Sequence, residues 1–289
     1  MNRLRIVVAV ACMSLAVAAS GQATRAATAG KTRTYYLAAE ETIWDYAPGG
    51  RDLTMDMAFD DDAKTFVERS ADRIGSKYKK AVFVEYTDGA FKQRKPRPQT
   101  GQHLGILGPI LHAQVGDKIR VVFRNKASRP YSIHPHGVFY TKANEGALTN
   151  DGTSDAEHAG SAVAPDATYV YEWSVPSRAG PGPSDPSSVV WPYHSHVDSV
   201  RDMNSGLVGA IIVTAAGAAN ADGSPAGVDR EFVTLFDIFD ETNPGIWTTT
   251  LPGFPANRLV LIVRMPASSN PTTSIRSTDT FSAACRCRP

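Results

Sequence analysis

Short alternating segments, each closed by a turn, constrain this chain more than any other feature. In residues 118–125, Ile119, Val121 and Phe123 share one parity, while Lys118, Arg120 and Arg124 share the other. Residues two apart on an extended chain point to the same side, so one face is apolar and the other charged. Residues 168–175 repeat the pattern with Tyr169, Tyr171, Trp173 and Val175. Residues 207–213 are an almost continuous apolar run, opened by Gly206 and interrupted by Gly209. Further strands are expected at 34–40, 81–86 and 232–239. Turn residues separate them at 115–117 (Val-Gly-Asp), at 150–152 (Asn-Asp-Gly) and in the Pro/Gly-rich run 178–186. No long segment carries the helical period. The pattern predicts an all-β antiparallel sandwich or barrel.

Charge is spread unevenly over the 289 residues, whose net charge is +1. Residues 1–30 hold Arg3, Arg5 and Arg25 and no acid; residues 245–289 hold five arginines and one acid, Asp279. The remaining body carries 22 basic and 28 acidic residues, a net of −6. A body of that sign is not expected to bind nucleic acid.

The start of the chain reads as a secretory signal. Arg3 and Arg5 precede an apolar run of thirteen residues, 6–18, too short to span a bilayer. Small residues follow, with cleavage expected after Ala18 or Ala29. No other segment is long and apolar enough for a membrane span, so a secreted or periplasmic protein is expected. Of three cysteines, Cys12 lies in the signal and Cys285 and Cys287 near the C-terminus. The cysteine-free stretch 31–284 excludes a disulfide framework, a thiolate zinc site and a thiol nucleophile there.

The expected organisation is a signal at 1–29, one complete domain at 31–217, and a linker with the first strand of a second domain at 218–244. An Ala/Gly-rich stretch, 215–225, marks the boundary, and the second domain starts at Asp229. Residues 245–289, with 17 Ser, Thr or Pro in 45, read as a disordered or misframed tail.

Four of the seven histidines fall into two like patterns, His134-Pro135-His136-Gly137 and His194-Ser195-His196. On an extended strand each pair presents two imidazoles to one side, and imidazole suits copper, zinc, iron and nickel. Aromatic residues flank both pairs: Tyr131 and Phe139, Trp191 and Tyr193. Such a doubled pattern points to a metal site, whereas a single pair would read as a chance surface feature. His103, His112 and His158 are isolated and read as solvated or hydrogen-bonded.

The segments that surround these histidines are distinctive. They are 36–48 (Tyr-Leu-Ala-Ala-Glu-Glu-Thr-Ile-Trp-Asp-Tyr-Ala-Pro), 104–109 (Leu-Gly-Ile-Leu-Gly-Pro), 128–138 (Ser-Arg-Pro-Tyr-Ser-Ile-His-Pro-His-Gly-Val), 175–186, 193–198 (Tyr-His-Ser-His-Val-Asp) and 204–207 (Asn-Ser-Gly-Leu). Over roughly residues 34–240 the chain resembles the first cupredoxin domain of ceruloplasmin- and hephaestin-like multicopper oxidases. The resemblance implies a cupredoxin-like Greek-key sandwich, plastocyanin-like in type. It implies copper as cofactor, with O2 and a small reducing substrate, a phenol or Fe(II), as reactants. Carried over by motif, His134 corresponds to a type 2 copper ligand and His136, His194 and His196 to type 3 ligands, half of a trinuclear cluster. The other half is then expected from a second cupredoxin domain, another chain or a second copy in a homo-oligomer. Asp151 and Asp198 are candidate proton relays, with an exposed carboxylate the plainer role for each. A type 1 site needs a thiolate beside imidazoles, and the 93 residues after His196 contain no histidine. By itself the chain therefore reads as inactive, either an oxidase interrupted in its sequence or a non-enzymatic copper-binding module.

Residues 274–289 can be written in codons whose frame, entered at the third base, spells His-Ser-Ile-Asn-Gly-Tyr-Val-Phe-Gly-Ser-Leu-Pro-Met-Pro. The same offset at residues 245–250 permits Asp-Met-Asp-Asp-Asp. Both resemble second-domain segments of the family, and a frame change near Gly245 is the expectation that follows. Nucleotide sequence across codons 240–250 tests it; a shifted frame without downstream copper motifs removes it.

Overall fold

The computed structural model describes residues 30–71 and 73–241, and the backbone of 281–287. The expected signal and most of the expected tail lie outside the described residues. Ten strands are described: β1 (Thr32–Asp45), β2 (Lys77–Tyr86), β3 (Ile110–Gln114), β4 (Lys118–Asn125), β5 (His134–Pro135), β6 (Thr168–Ser174), β7 (Ser188–His194), β8 (Val208–Thr214), β9 (Val228–Leu235) and β10 (Phe281–Cys287). Two helices, α1 (Asp61–Val67) and α2 (Ser199–Ser205), have seven residues each, in keeping with the missing helical period.

One sheet has the order β2-β1-β4-β6 and the other β3-β8-β7-β5. The chain crosses between them after β2, β3, β4, β5 and β6, which makes the parallel neighbours β1/β4 and β3/β8. This is the two-layer sandwich that the alternation predicts, but not a wholly antiparallel one: two strand pairs are parallel because the chain changes sheet between their members. Ile119, Val121 and Phe123 of β4 are wholly buried between the sheets, with Tyr171 and Trp173 of β6 beside them. Facing them are Leu111, Tyr193, Ile211 and Val213 of the second sheet. Burying a side chain such as Phe123 contributes about 1.5–3 kcal/mol.

β8 is apolar on both faces because both are covered. Ile211 and Val213 enter the core, while Val208, Ala210 and Ile212 pack outward against Leu104, Ile106, Leu107, Val233 and Leu235. β9, expected to open a second domain, thus lies on the outer face of the first sandwich, and its backbone pairs antiparallel with β10. The expected linker is folded back as well. Ala226 N–H donates to the Ala218 carbonyl at 2.8 Å, and Thr214 Oγ1 donates to the Gly223 carbonyl at 3.2 Å. Arg33, ion-paired with Asp117 at 2.5 Å, donates to the Ala221 carbonyl at 3.1 Å. Ala/Gly composition alone carries no sign of such anchors.

Candidate metal centre

The histidine pairs meet at one end of the β3-β8-β7-β5 sheet. β5 is only two residues long and pairs antiparallel with β7, so His134 sits opposite His194. Gly137 turns the chain directly after His136 with φ +74°, and a β-carbon there would meet the Trp191 ring at 2.1 Å. Trp191 is held in turn by its indole N–H, which donates to the Ala179 carbonyl at 2.7 Å. His136 is fixed through its own N–H, donated to the Pro192 carbonyl at 2.9 Å. His196 bridges Ala147 from the loop that follows β5.

The four imidazoles form one cluster. Ring centroids lie 5.0 Å apart for His134 and His196, 5.1 Å for His134 and His136, 5.2 Å for His136 and His194, and 5.5 Å for His194 and His196. Two rings have backbone anchors: His134 Nδ1 lies 2.7 Å from the Glu145 carbonyl and His194 Nδ1 lies 2.8 Å from the Ser195 carbonyl. A carbonyl only accepts, so each Nδ1 carries the proton and each Nε2 keeps its lone pair. His194 Nε2 stands 3.1 Å from His136 Nε2, so His136 donates across that gap. A cation between them would replace this proton.

Burial pulls His134 down to about 4; the Glu145 carbonyl opposes this, and the charges of His136 and His196 add to it. Burial likewise takes His194 down to about 4, against the Ser195 carbonyl and with His134 and His196. Both rings are neutral at pH 7, the state in which imidazole binds metal. Among the described residues no set of three or more His, Cys, Asp or Glu side chains completes a site for a single ion. An open face of four imidazoles, two of them kept neutral by burial, fits a donor set shared between ions and finished from outside, and its all-nitrogen chemistry suits copper.

The supporting hydrogen bonds come from Ser132, Ser195 and Asp202, none of them a ligand candidate. Ser195 Oγ donates to Asp202 Oδ2 at 2.6 Å, Ser132 N–H donates to Ser195 Oγ at 3.1 Å, and His196 N–H donates to Ser132 Oγ at 3.0 Å. Ser195, between two ligand candidates, was the one visible signal.

The remaining candidates lie elsewhere. Asp198 caps α2, accepting from Arg201 N–H at 3.3 Å, with a side chain 47% exposed. Asp151 pairs with Lys142 at 2.6 Å. That bond, with those from Thr153, holds its carboxyl well below the usual range. His103 contacts the Thr100 carbonyl at 2.8 Å, His112 contacts Glu231 at 2.9 Å and His158 contacts Thr153 Oγ1 at 2.6 Å. All three isolated histidines are hydrogen-bonded, and none joins the cluster. The side chains of Cys285 and Cys287 lie outside the described residues.

Residues 84–217 match the family described as multicopper oxidase. Mouse ferroxidase HEPHL1 is 46% identical over 213 residues, covering 73% of this chain and 18% of that protein. Rat ceruloplasmin is 47% identical over 213 residues, 72% of this chain and 20% of that one, and mouse hephaestin is 43% identical over 218 residues, 74% and 19%. The chain thus spans about a fifth of the length of these relatives. A multicopper oxidase structure from Pseudomonas thermotolerans aligns with TM-score 0.38 at 18% identity, over 66% of this chain and 32% of that one. With its histidine pairs inside the matched region, the chain carries a domain of the multicopper oxidase family at residues 84–217.

Proposed function

We propose that the histidine face holds half of a copper cluster in an exported oxidase, which couples oxidation of a small reducing substrate, a phenol or Fe(II), to reduction of O2. His134 serves a type 2 copper, and His136, His194 and His196 serve a type 3 pair. When bound, copper supplies one-electron redox chemistry: four electrons and four protons convert O2 to two waters. The chain's own part is to present lone pairs at fixed positions. Nδ1 bonds from His134 and His194 to backbone carbonyls set ring orientation and tautomer. Burial keeps the same two rings neutral. At the rim, Tyr140 and Leu148 are 38% and 58% exposed; the Tyr140 ring lies 5.8 Å from that of His134, and Leu148 follows Ala147, which bridges His196. Such a rim suits coverage by a second cupredoxin domain or a second copy that brings the remaining ligands.

The observation that carries this reading is the convergence of four imidazoles across the β5–β7 pair. Copper(II) titration of the full chain, followed by electron paramagnetic resonance, tests it. Nitrogen-coupled copper is expected, and the double substitution His134→Ala/His194→Ala should abolish it. Uptake that survives the double substitution, or no uptake by the parent chain, overturns the assignment. A second reading, a copper-binding module without oxidase turnover, is favoured by the cysteine-free stretch 31–284, since electron entry through a type 1 copper requires a thiolate. Blue thiolate–copper absorption from this chain would remove that alternative.

A further inference from the structure

We propose that Asp202 is a positioning residue, whose carboxylate, acting through Ser195 and Ser132, sets the spacing between the two histidine pairs. The inference rests on the copper reading above for its consequence, but the brace itself is a property of the protein without metal.

Asp202 is 3% exposed and lies on α2, six residues after His196. A buried carboxylate is costly unless donors surround it. Here every donor comes from the stretch that carries His196. Ser195 Oγ–H reaches Oδ2 at 2.6 Å and Asp198 N–H reaches the same oxygen at 3.1 Å, while Val197 N–H adds a third bond. The carboxylate therefore gathers residues 195–198 into one loop with His194 and His196 at its entrance.

Ser195 passes this order to the other pair. Its hydroxyl has a single hydrogen, which it gives to Asp202, and so it presents lone pairs to Ser132 N–H, two residues before His134. Ser132 returns the contact by accepting from His196 N–H at 3.0 Å. Ser132 and Ser195 are both wholly buried, so neither group has water as a substitute partner. The β5–β7 ladder itself joins only His134–Pro135 to Tyr193–His194. Beyond that two-residue ladder, and beside the Ala147–His196 bridge, the Ser132–Ser195–Asp202 chain is a tie that keeps His196 in step with His134, whose rings are 5.0 Å apart.

α2 is in turn held from its far side. Lys80 Nζ, wholly buried, donates to the Asn204 carbonyl at 2.7 Å, and Asn204 Oδ1 accepts from Asp240 N–H at 3.1 Å. The helix is thus a fixed mount for Asp202 rather than a loose surface turn.

The test compares the full chain with Ser195→Ala, Asp202→Ala and the double variant. A core control, Leu111→Ala, lowers stability away from the brace. Two quantities are read: hydrogen exchange at the Ser132 and His196 amides without metal, and copper(II) affinity against a competing chelator. Ser195→Ala and Asp202→Ala should each lose exchange protection at Ser132 and His196 and bind copper at least about tenfold more weakly. The double variant should lose less than the sum of the two single losses, because the single variants share the Ser195–Asp202 bond. Leu111→Ala should leave protection at these amides ranked as before and copper affinity unchanged. The proposal falls if the brace variants match the parent in both readouts, or if Leu111→Ala weakens copper binding as much as they do. If the parent chain takes up no copper, the copper assignment fails; the exchange pattern alone then decides the brace, and unchanged protection in Ser195→Ala overturns it.

Discussion

Gly137→Ala is the sharpest probe of how the sandwich supports His136. The backbone there has φ +74°, a left-handed conformation that costs an L-residue about 1–2 kcal/mol. The new methyl would also lie 2.1–2.4 Å from three atoms of the Trp191 ring, far inside contact distance. Movement of Trp191 would cost its indole hydrogen bond to the carbonyl of the wholly buried Ala179. Overpacking of this kind costs about 1–3 kcal/mol. The substitution should therefore destabilise the chain by about 2–5 kcal/mol, the backbone and steric parts together. Urea unfolding followed by far-ultraviolet circular dichroism measures the loss, and the same substitution in a Trp191→Ala background separates the parts. With the ring removed, only the backbone part of about 1–2 kcal/mol should remain. A cost below about 1 kcal/mol in the parent, or equal costs in both backgrounds, would refute the reasoning.

Acid should weaken the metal-free fold through its buried histidines. His134 and His194 titrate near 4 when folded and near 6.5 when unfolded, so their stabilisation is complete above about 6.5 and is lost as pH falls toward 4. For His194, 8% exposed, the loss is at most about 3 kcal/mol; urea midpoints between pH 7.5 and 5 should fall in the parent and much less in His134→Gln/His194→Gln. The buried Lys80–Glu241 pair, also bonded by Tyr46, fastens the segment after β9 to the sandwich. Glu241→Ala should cost about 3–5 kcal/mol by leaving an uncompensated ammonium, and Lys80→Met/Glu241→Leu should recover most of it, as thermal midpoints would show. Equal midpoints in the two variants would contradict that account.

Strand parity was legible wherever burial falls on one face. β4 occupies the predicted residues 118–125, and β6 and β8 lie within one residue of theirs, because Phe123, Trp173 and Ile211 need a core. β3 and β7 went unseen. β3 is five residues long, and β7 reads Ser-Val-Val-Trp-Pro-Tyr-His, where Pro192 and mixed burial blur the alternation. α1 and α2 are too short to show a period, although each opens on an aspartate that caps it. Asp198 reads in sequence as a carboxylate and in the structure as a cap, because capping depends on the backbone geometry of the three residues that follow.

By itself the sequence determined the all-β class, the four histidines worth watching, and the lack of a thiolate between residues 31 and 284. These follow from local rules, since side-chain parity and ligand chemistry need no knowledge of distant residues. Tertiary structure alone decided that His134 stands opposite His194, that β9 covers the outer face of β8, and that Asp202 ties the two pairs together. Those are contacts across 60, about 25 and, through Ser195 to Ser132, 63 residues of chain. Contacts of that span form only when the sandwich closes, because the energy that selects them is burial shared by both sheets rather than the preference of any one segment.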